Sequence, residues 1–83
     1  MNAKEALNKI KWGEKEPEKY FVFYIDRISK ELKKIKFSEI KEIEGSFFIV
    51  EKDGEETEIP IHRIRELRKE NKLIWRRGND SQL

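Results

Sequence analysis

The 83-residue chain contains no cysteine and a single histidine, His62. The absence of cysteine excludes a disulfide framework, a thiolate metal site and a cysteine nucleophile. A lone histidine would have to bind zinc with carboxylates alone, so no metal site is predicted. The sequence also lacks an apolar run of about 18 residues and a phosphate-binding glycine loop. These absences predict a cytoplasmic protein that uses neither a membrane nor a cofactor.

The length and composition predict one domain with a small core. A chain this short buries only about 60 to 65% of the surface that it exposes when unfolded. Apolar residues make up 36% of the sequence and charged residues 43%, but the apolar part is rich in Ile, Phe and Tyr, which favours folding. We predict a single domain over residues 1–83, with a core from about Ala3 to Arg77 and a frayed tail at residues 78–83.

The net charge of +2 conceals an uneven distribution of charge along the chain. Residues 1–36 include ten basic and six acidic residues, residues 37–61 two basic and eight acidic, and residues 62–77 seven basic and two acidic. Five of the six arginines lie in the last of these segments. Because the planar guanidinium group suits phosphate, whereas lysine would serve solubility equally well, this segment is predicted to face an anion.

The apolar pattern predicts one helix followed by short strands. Asn2 and Glu5 resemble a capping box, and a helix is predicted over Ala3–Trp12. Trp12 is interpreted as the last core anchor of this helix. The continuous apolar run "YFVFYID", Tyr20–Asp26, predicts a central strand that is covered on both faces.

Turn signals divide the rest of the chain into further strands. Ser29–Ile43 allows a helix or a strand, and "KIKF" favours an edge strand followed by a turn. Asp53-Gly54 predicts a hairpin between "SFFIVEK" and "ETEIP", and Pro60 must end that ladder because it has no N–H group. A tight turn over residues 61–64 and two strands ending in "LIWRR" follow. The predicted fold is α+β, with the N-terminal helix packed on a small curved antiparallel sheet or partial β-barrel of about five or six short strands.

His62 allows three interpretations. It can donate a hydrogen bond to a phosphate together with Arg63 and Arg65, or it can be a packed histidine that closes the turn after Pro60. Catalysis, the third, would need a partner for acid–base or nucleophilic chemistry, and the neighbouring sequence supplies none. No catalytic residue is therefore predicted, while ligand contact and a structural role both stay open.

The arginines and Trp75 form a second group of candidate residues. On a strand, Arg63 and Arg65 would share a face, and the last strand would bring Trp75, Arg76 or Arg77 beside them. Guanidinium groups next to an indole ring suit single-stranded nucleic acid, because the cations pair with phosphates and the ring stacks on a base. The alternative is a solvated basic face that the acidic middle segment neutralises.

Four stretches of the sequence, "ALNKIKW", "FVFYIDR", "IPIHRI" and "LIWRR", together resemble a family of small archaeal proteins classed as uncharacterised. The domain of this family, which also occurs in eukaryotic proteins, has been called the RNA cyclic group end recognition domain. The resemblance runs from about Ala3 to Arg77. It implies binding of RNA ends, including ends with a 2′,3′-cyclic phosphate, in RNA processing or repair, with an RNA-processing protein as a further partner.

Carried over residue by residue, the resemblance points to Arg27, His62, Arg63 and Trp75-Arg76-Arg77 as RNA-binding residues. Arg27 would join the basic surface if the first strand pairs near "HRIR". The leading prediction is a non-catalytic RNA-binding module. The alternatives are a protein-interaction module that uses its basic C-terminal strand, and an RNA-end phosphoesterase with His62 as acid or base.

Overall fold

The computed structural model describes residues 2–13 and 16–77. These residues form one α-helix, α1 (Ala3–Gly13), and seven strands. The strands are β1 (Tyr20–Ile25), β2 (Leu32–Lys36), β3 (Ile40–Ile43), β4 (Phe47–Lys52), β5 (Glu55–Pro60), β6 (Ile64–Lys69) and β7 (Lys72–Arg76). Single 3-10 turns precede β1, β3 and β6, at Pro17–Lys19, Phe37–Glu39 and Ile61–Arg63. The tail predicted at residues 78–83 lies outside the described residues.

The strands form two open antiparallel sheets. One sheet has four strands in the order β2-β1-β6-β7, and the other has three in the order β3-β4-β5. The predicted α+β class, with an N-terminal helix and short antiparallel strands, is confirmed. The described residues contain seven strands instead of five or six because Ile40–Ile43 pairs with β4 as an additional strand.

The core lies between the helix and the two sheets and forms one cluster. Helix α1 contributes residues at helical spacing, namely Ala3, Ala6, Leu7 and Ile10. Val22 of β1, Leu67 of β6 and Phe48 of β4 are fully buried beside them. Both sheets therefore bury one face against the same apolar cluster. No helix in the described part of the chain is long and apolar enough to cross a membrane.

Local signals placed the start of helix α1 and the β4–β5 hairpin correctly, while the helix ends at Gly13, one residue beyond the predicted Trp12. Asn2 Oδ1 accepts a hydrogen bond from the Glu5 N–H at 2.8 Å, and Glu5 Oε1 accepts one from the Asn2 N–H at 2.9 Å. Asp53 and Gly54 have φ angles of 55° and 81°, the positive values that a two-residue hairpin turn requires. Pro60 is the last paired residue of β5, and a tight turn follows it.

Trp12 does not anchor helix α1 in the core, and this prediction is wrong. Its side chain is 80% exposed, and the Lys11 ammonium group lies 5.7 Å from the ring centroid. The reason is helical geometry: two residues after buried Ile10, the chain has turned by about 200° to the opposite side of the helix.

Strand β1 occupies the predicted central position, but only one of its faces is covered by other elements. Tyr20 and Val22 belong to the core cluster, whereas Phe21 and Phe23 do not and are half-buried. The prediction of cover on both faces is wrong because helix α1 and the three-stranded sheet both join the core on the Val22 side.

Candidate functional site

An open cleft lies between the end of β1 and the three-stranded sheet. We call it the intersheet cleft, and its volume is about 610 Å³. Binding pockets for small molecules typically measure about 300 to 1,000 Å³, so the cleft can hold a group as large as a nucleotide. It is lined by residues 24–28, 46–47, 57–60 and 62–63.

Three of the predicted site residues, Arg27, His62 and Arg63, line the intersheet cleft. They come together because β1 pairs with β6 in antiparallel register, with Tyr24 opposite Ile64. The loop after β1 and the turn before β6 therefore meet at the same end of the four-stranded sheet. The condition under which Arg27 was predicted to join the basic surface is met.

The turn Ile61–Arg63, which we call the His62 turn, is fixed by its neighbours. Ile61 and Ile64 are buried in the core, and the Ile61 N–H donates to the Ser46 carbonyl at 2.9 Å. His62 itself is exposed between these two anchors. A packed histidine, which the sequence also allowed, does not match this exposure.

Arg63 has a buried nitrogen that lacks a partner. Its Nε is shielded from solvent and makes no hydrogen bond within the residues that the structure describes. A buried donor left unpaired costs about 1 to 3 kcal/mol.

Arg27 is held at the rim of the cleft by the loop that follows β1. Asp26 Oδ2 accepts hydrogen bonds from the backbone N–H groups of Ile28 at 3.1 Å and Ser29 at 2.9 Å, and from the Ser29 hydroxyl at 3.1 Å. Hydrogen bonding from the Ser29 backbone is the main cause that lowers the pKa of Asp26. The ionised carboxylate thus closes the loop around Arg27.

Acidification is expected to loosen this loop. Since folding lowers the pKa of Asp26, its contribution to stability is present above the unfolded pKa and is lost as pH falls through the folded pKa. We expect the melting temperature of the native chain to fall more steeply than that of Asp26→Asn between about pH 5 and about pH 2. Melts followed by circular dichroism test this, with Asp53→Asn in the hairpin turn as the matched control. Parallel curves for the native chain and Asp26→Asn would contradict the role of Asp26.

Aromatic and apolar groups form the rest of the cleft wall. Tyr24, Phe47 and Ile59 line it beside Arg27, His62 and Arg63. Burial, and secondly the charge of Asp26, raise the pKa of the Tyr24 hydroxyl, so it stays protonated and can donate a hydrogen bond. The cleft can therefore bind an anionic group that is attached to an apolar or planar one. No group of three or more His, Asp or Glu side chains suited to a metal ion occurs in the described residues.

Arg65 and Arg77 contact the His62 turn instead of lining the intersheet cleft. Arg65 Nη1 donates to the His62 carbonyl at 3.0 Å. Arg77 Nε donates to the Ile64 carbonyl at 2.8 Å, and its Nη2 donates to the Ile61 carbonyl at 3.1 Å. These two arginines thus support the turn that carries His62.

Trp75 and Arg76 lie on opposite faces of β7. Trp75 is opposite Leu67 and packs against the core. Arg76 is opposite Glu66 and is exposed on the other face of the sheet. The structure therefore does not bring either residue into the intersheet cleft.

The strand face predicted for Arg63 and Arg65 is not formed, for two reasons. Arg63 lies in the His62 turn and not in β6. In addition, the β1–β6 register shifts by one residue, which leaves Arg65 as the extra residue of a β-bulge. As a result Ile64 and Leu67, three residues apart, are both fully buried.

Sequence reasoning missed Asp26, Tyr24 and Phe47 as cleft residues. A signal existed for Asp26, because Asp followed by Ser three residues later is typical of a turn closed by the Asp side chain. Tyr24 belongs to the run that predicted a strand covered on both faces, and Phe47 carries no signal of its own. Their places in the wall follow from the packing of two separate sheets.

The two sheets carry net charges of opposite sign. Residues 20–36 and 64–77, which contain the four-stranded sheet, have eleven basic and four acidic residues. Residues 37–61, which contain the three-stranded sheet, have two basic and eight acidic residues. The intersheet cleft lies at the boundary. A polyanion is therefore attracted to the four-stranded sheet and repelled by the other.

Comparison with known proteins gives the family. The family model of the MJ1316 RNA cyclic group end recognition domain matches residues 1–77. A UPF0248 protein of Saccharolobus islandicus is 38% identical over 81 residues, covering 93% of this chain and 100% of the relative. A UPF0248 protein of Metallosphaera sedula is 36% identical over 77 residues, covering 93% and 94%. A third, from Saccharolobus solfataricus, is 32% identical over 83 residues, covering 95% and 100%.

No solved structure matches the chain significantly. The family model spans all seven strands and the helix, and the three relatives are aligned over nearly their whole length. The chain therefore belongs to the family of the MJ1316 RNA cyclic group end recognition domain, as its resemblance to that family predicted.

Proposed function

We propose that this protein is a non-catalytic module that binds the phosphate-bearing end of a single-stranded RNA, including a 2′,3′-cyclic phosphate end, in the intersheet cleft. The observation that carries the proposal is the convergence of Arg27, His62 and Arg63 on one cleft that also has an aromatic wall. The description of the family supports RNA as the class of ligand.

The donors suit a terminal phosphate. A cyclic phosphate has one negative charge shared by two non-bridging oxygens, and a guanidinium group can pair with both. Arg63 lines the cleft with a half-buried side chain, while Arg27 and His62 stand exposed at the same cleft. Tyr24 and Phe47 are placed to contact the ribose or the base of the last nucleotide.

We favour binding over catalysis because hydrolysis of a cyclic phosphate needs both an acid and a base, and few groups in the cleft could serve. Of the carboxylates that line the cleft, Asp26 is engaged with its own loop, so a phosphoesterase would depend on His62 and Glu58 alone. Conversion of a cyclic-phosphate RNA to a linear phosphate, abolished in His62→Ala, would replace binding with catalysis as the function.

The preference for phosphate ends is the direct test. We expect RNAs of one sequence to bind about tenfold more tightly with a 3′-phosphate or 2′,3′-cyclic phosphate than with a 3′-hydroxyl, because the end adds charge-assisted hydrogen bonds. Fluorescence anisotropy at fixed salt measures this ratio. Arg27→Gln and Arg63→Gln are each expected to abolish it.

Lys9→Gln is the charge-matched control, since Lys9 is exposed on helix α1 and lies outside the cleft. It is expected to keep the preference for phosphate ends. Equal affinity of the native protein for all three ends would overturn the proposed function.

A further inference from the structure

The face of the four-stranded sheet that points away from the core carries two cross-strand rows of aromatic and charged residues. Residues directly opposite each other on paired strands lie on the same face. The first row is Lys36, Phe21, Arg68 and the exposed Leu73, and the second is Lys34, Phe23, Glu66 and Arg76. We call the surface formed by these eight residues the outer face.

Each row has a phenyl ring on the central strand. Phe21 and Phe23 are half-buried and do not belong to the core cluster. Their neighbours along β1, Tyr20 and Val22, are buried on the opposite face. No described helix or strand covers the outer face, so two aromatic rings lie in the middle of an open sheet surface.

A cationic side chain lies over each ring. The Lys34 ammonium group lies 4.6 Å from the centroid of Phe21, and the Arg68 guanidinium carbon lies 5.7 Å from that of Phe23. Glu66 is the single acid of the two rows, and Arg68 Nε donates to it at 2.8 Å. Lys34, Lys36 and Arg76 therefore remain as positive charges in excess, on the more basic of the two sheets.

The spacing of the rings suits successive bases. Residues two apart on a strand are separated by about 7 Å and point to the same side. Aromatic rings on the strands of a four-stranded sheet can each stack one base of a single-stranded RNA, while basic side chains beside them pair with its phosphates. A neutral apolar partner would gain nothing from the excess positive charge of Lys34, Lys36 and Arg76.

We propose that the outer face binds the single-stranded body of an RNA, with bases stacked on Phe21 and Phe23 and phosphates paired with Lys34, Lys36 and Arg76. The inference rests on the proposed function for its ligand class, RNA, and adds a second site that needs no terminal phosphate. The two sites adjoin at Ile25, which continues the Phe21 side of β1 and also lines the intersheet cleft. One RNA can thus lie along β1 and end in the cleft.

The test uses an unstructured RNA of about eight nucleotides that ends in a 3′-hydroxyl, compared with the same RNA ending in a 3′-phosphate. Phe21→Leu/Phe23→Leu keeps the apolar volume but removes both rings. We expect this variant to bind both RNAs at least about tenfold more weakly and to keep the preference for the phosphate end. Arg63→Gln is expected to do the reverse, losing the preference while keeping its affinity for the hydroxyl end.

Three further variants make the result specific. Lys36→Gln and Arg76→Gln are each expected to lower the slope of log affinity against log salt by about 1, as for a lost phosphate contact. Trp12→Leu is the aromatic control, because Trp12 is exposed on helix α1 and away from the sheet face, and it should bind RNA like the native chain.

Unchanged affinity of Phe21→Leu/Phe23→Leu for the 3′-hydroxyl RNA would overturn the inference, whatever the result for the phosphate end. The inference would also be overturned if the native protein sediments as a dimer and the double variant as a monomer. The outer face would then be a contact between two copies of the chain.

Discussion

Phe48→Ala is expected to lower the free energy of unfolding by about 3 to 5 kcal/mol. Phe48 has no exposed surface, and it lies on β4 opposite Ile59 and Ile43, where the three-stranded sheet meets the core. A domain of this length has a total stability of about 4 to 12 kcal/mol. The loss is therefore a large fraction of the total stability, and urea denaturation followed by circular dichroism would measure it.

Phe47→Ala is the matched control for this prediction. Phe47 is the adjacent residue of β4, is half-buried and lines the intersheet cleft. Its loss should cost about 1 kcal/mol of stability, because less apolar surface is removed from water there. It should weaken RNA-end binding instead. Equal losses of stability in the two variants would contradict the assignment of Phe48 to the core and of Phe47 to the cleft wall.

The features that the sequence predicted well are set by neighbouring residues. The capping box of Asn2 and Glu5 and the Asp53-Gly54 turn depend on groups at most three residues apart. Pro60 ends its strand because it lacks an N–H group. Such signals are complete within a short stretch of chain, so they can be interpreted without knowledge of the tertiary packing.

The features that the sequence did not predict are decided by packing between distant segments. The run "YFVFYID" is apolar on both sides, and no residue in it shows that only the Val22 side is covered. The predictions that placed Trp12 in the core and Trp75 on the basic surface also failed because burial depends on tertiary packing. Trp12 is exposed, whereas Trp75 lies opposite buried Leu67 and packs against the core.

The candidate site was predicted only in part, because some of its features depend on packing between distant segments. Arg27, His62 and Arg63 meet because β1 pairs with β6, which begins within "HRIR", a condition that the sequence interpretation named but could not establish. The place of Arg65 depends on a one-residue shift in strand register. A shift of one residue exchanges the two faces of a strand, so alternation alone gave the wrong surface for it.

Arg77→Ala is expected to lower both the stability of the protein and its preference for phosphate-bearing RNA ends. The Arg77 guanidinium group donates to the carbonyls of Ile61 and Ile64, one on each side of His62. Burial, and secondly the charge of Arg65, lower the pKa of Arg77, as expected for a cation that is partly withdrawn from water. Hydrogen bonds from charged donors contribute about 1.5 to 3 kcal/mol each, so a loss of about 2 kcal/mol is expected after partial solvation.

The effect on RNA would be indirect, because Arg77 fixes the turn that carries His62 and Arg63 and does not line the intersheet cleft. Arg77→Lys should recover only part of the loss, since one ammonium group does not match the fork that reaches both carbonyls. Arg76→Ala is the control on the neighbouring residue. It should leave stability within about 0.5 kcal/mol and keep the end preference, while lowering affinity for all RNAs.

Denaturation and RNA titration of the same variants distinguish a supporting role of Arg77 from a direct one. If Arg77→Ala keeps its full stability but loses RNA binding, Arg77 contacts RNA itself, as the sequence first suggested. If stability and end preference fall together, and Arg77→Lys recovers both in proportion, the guanidinium group acts through the His62 turn. The second outcome would mean that two arginines adjacent in the sequence have separate tasks: Arg77 holds the cleft in shape, and Arg76 faces the RNA from the outer face.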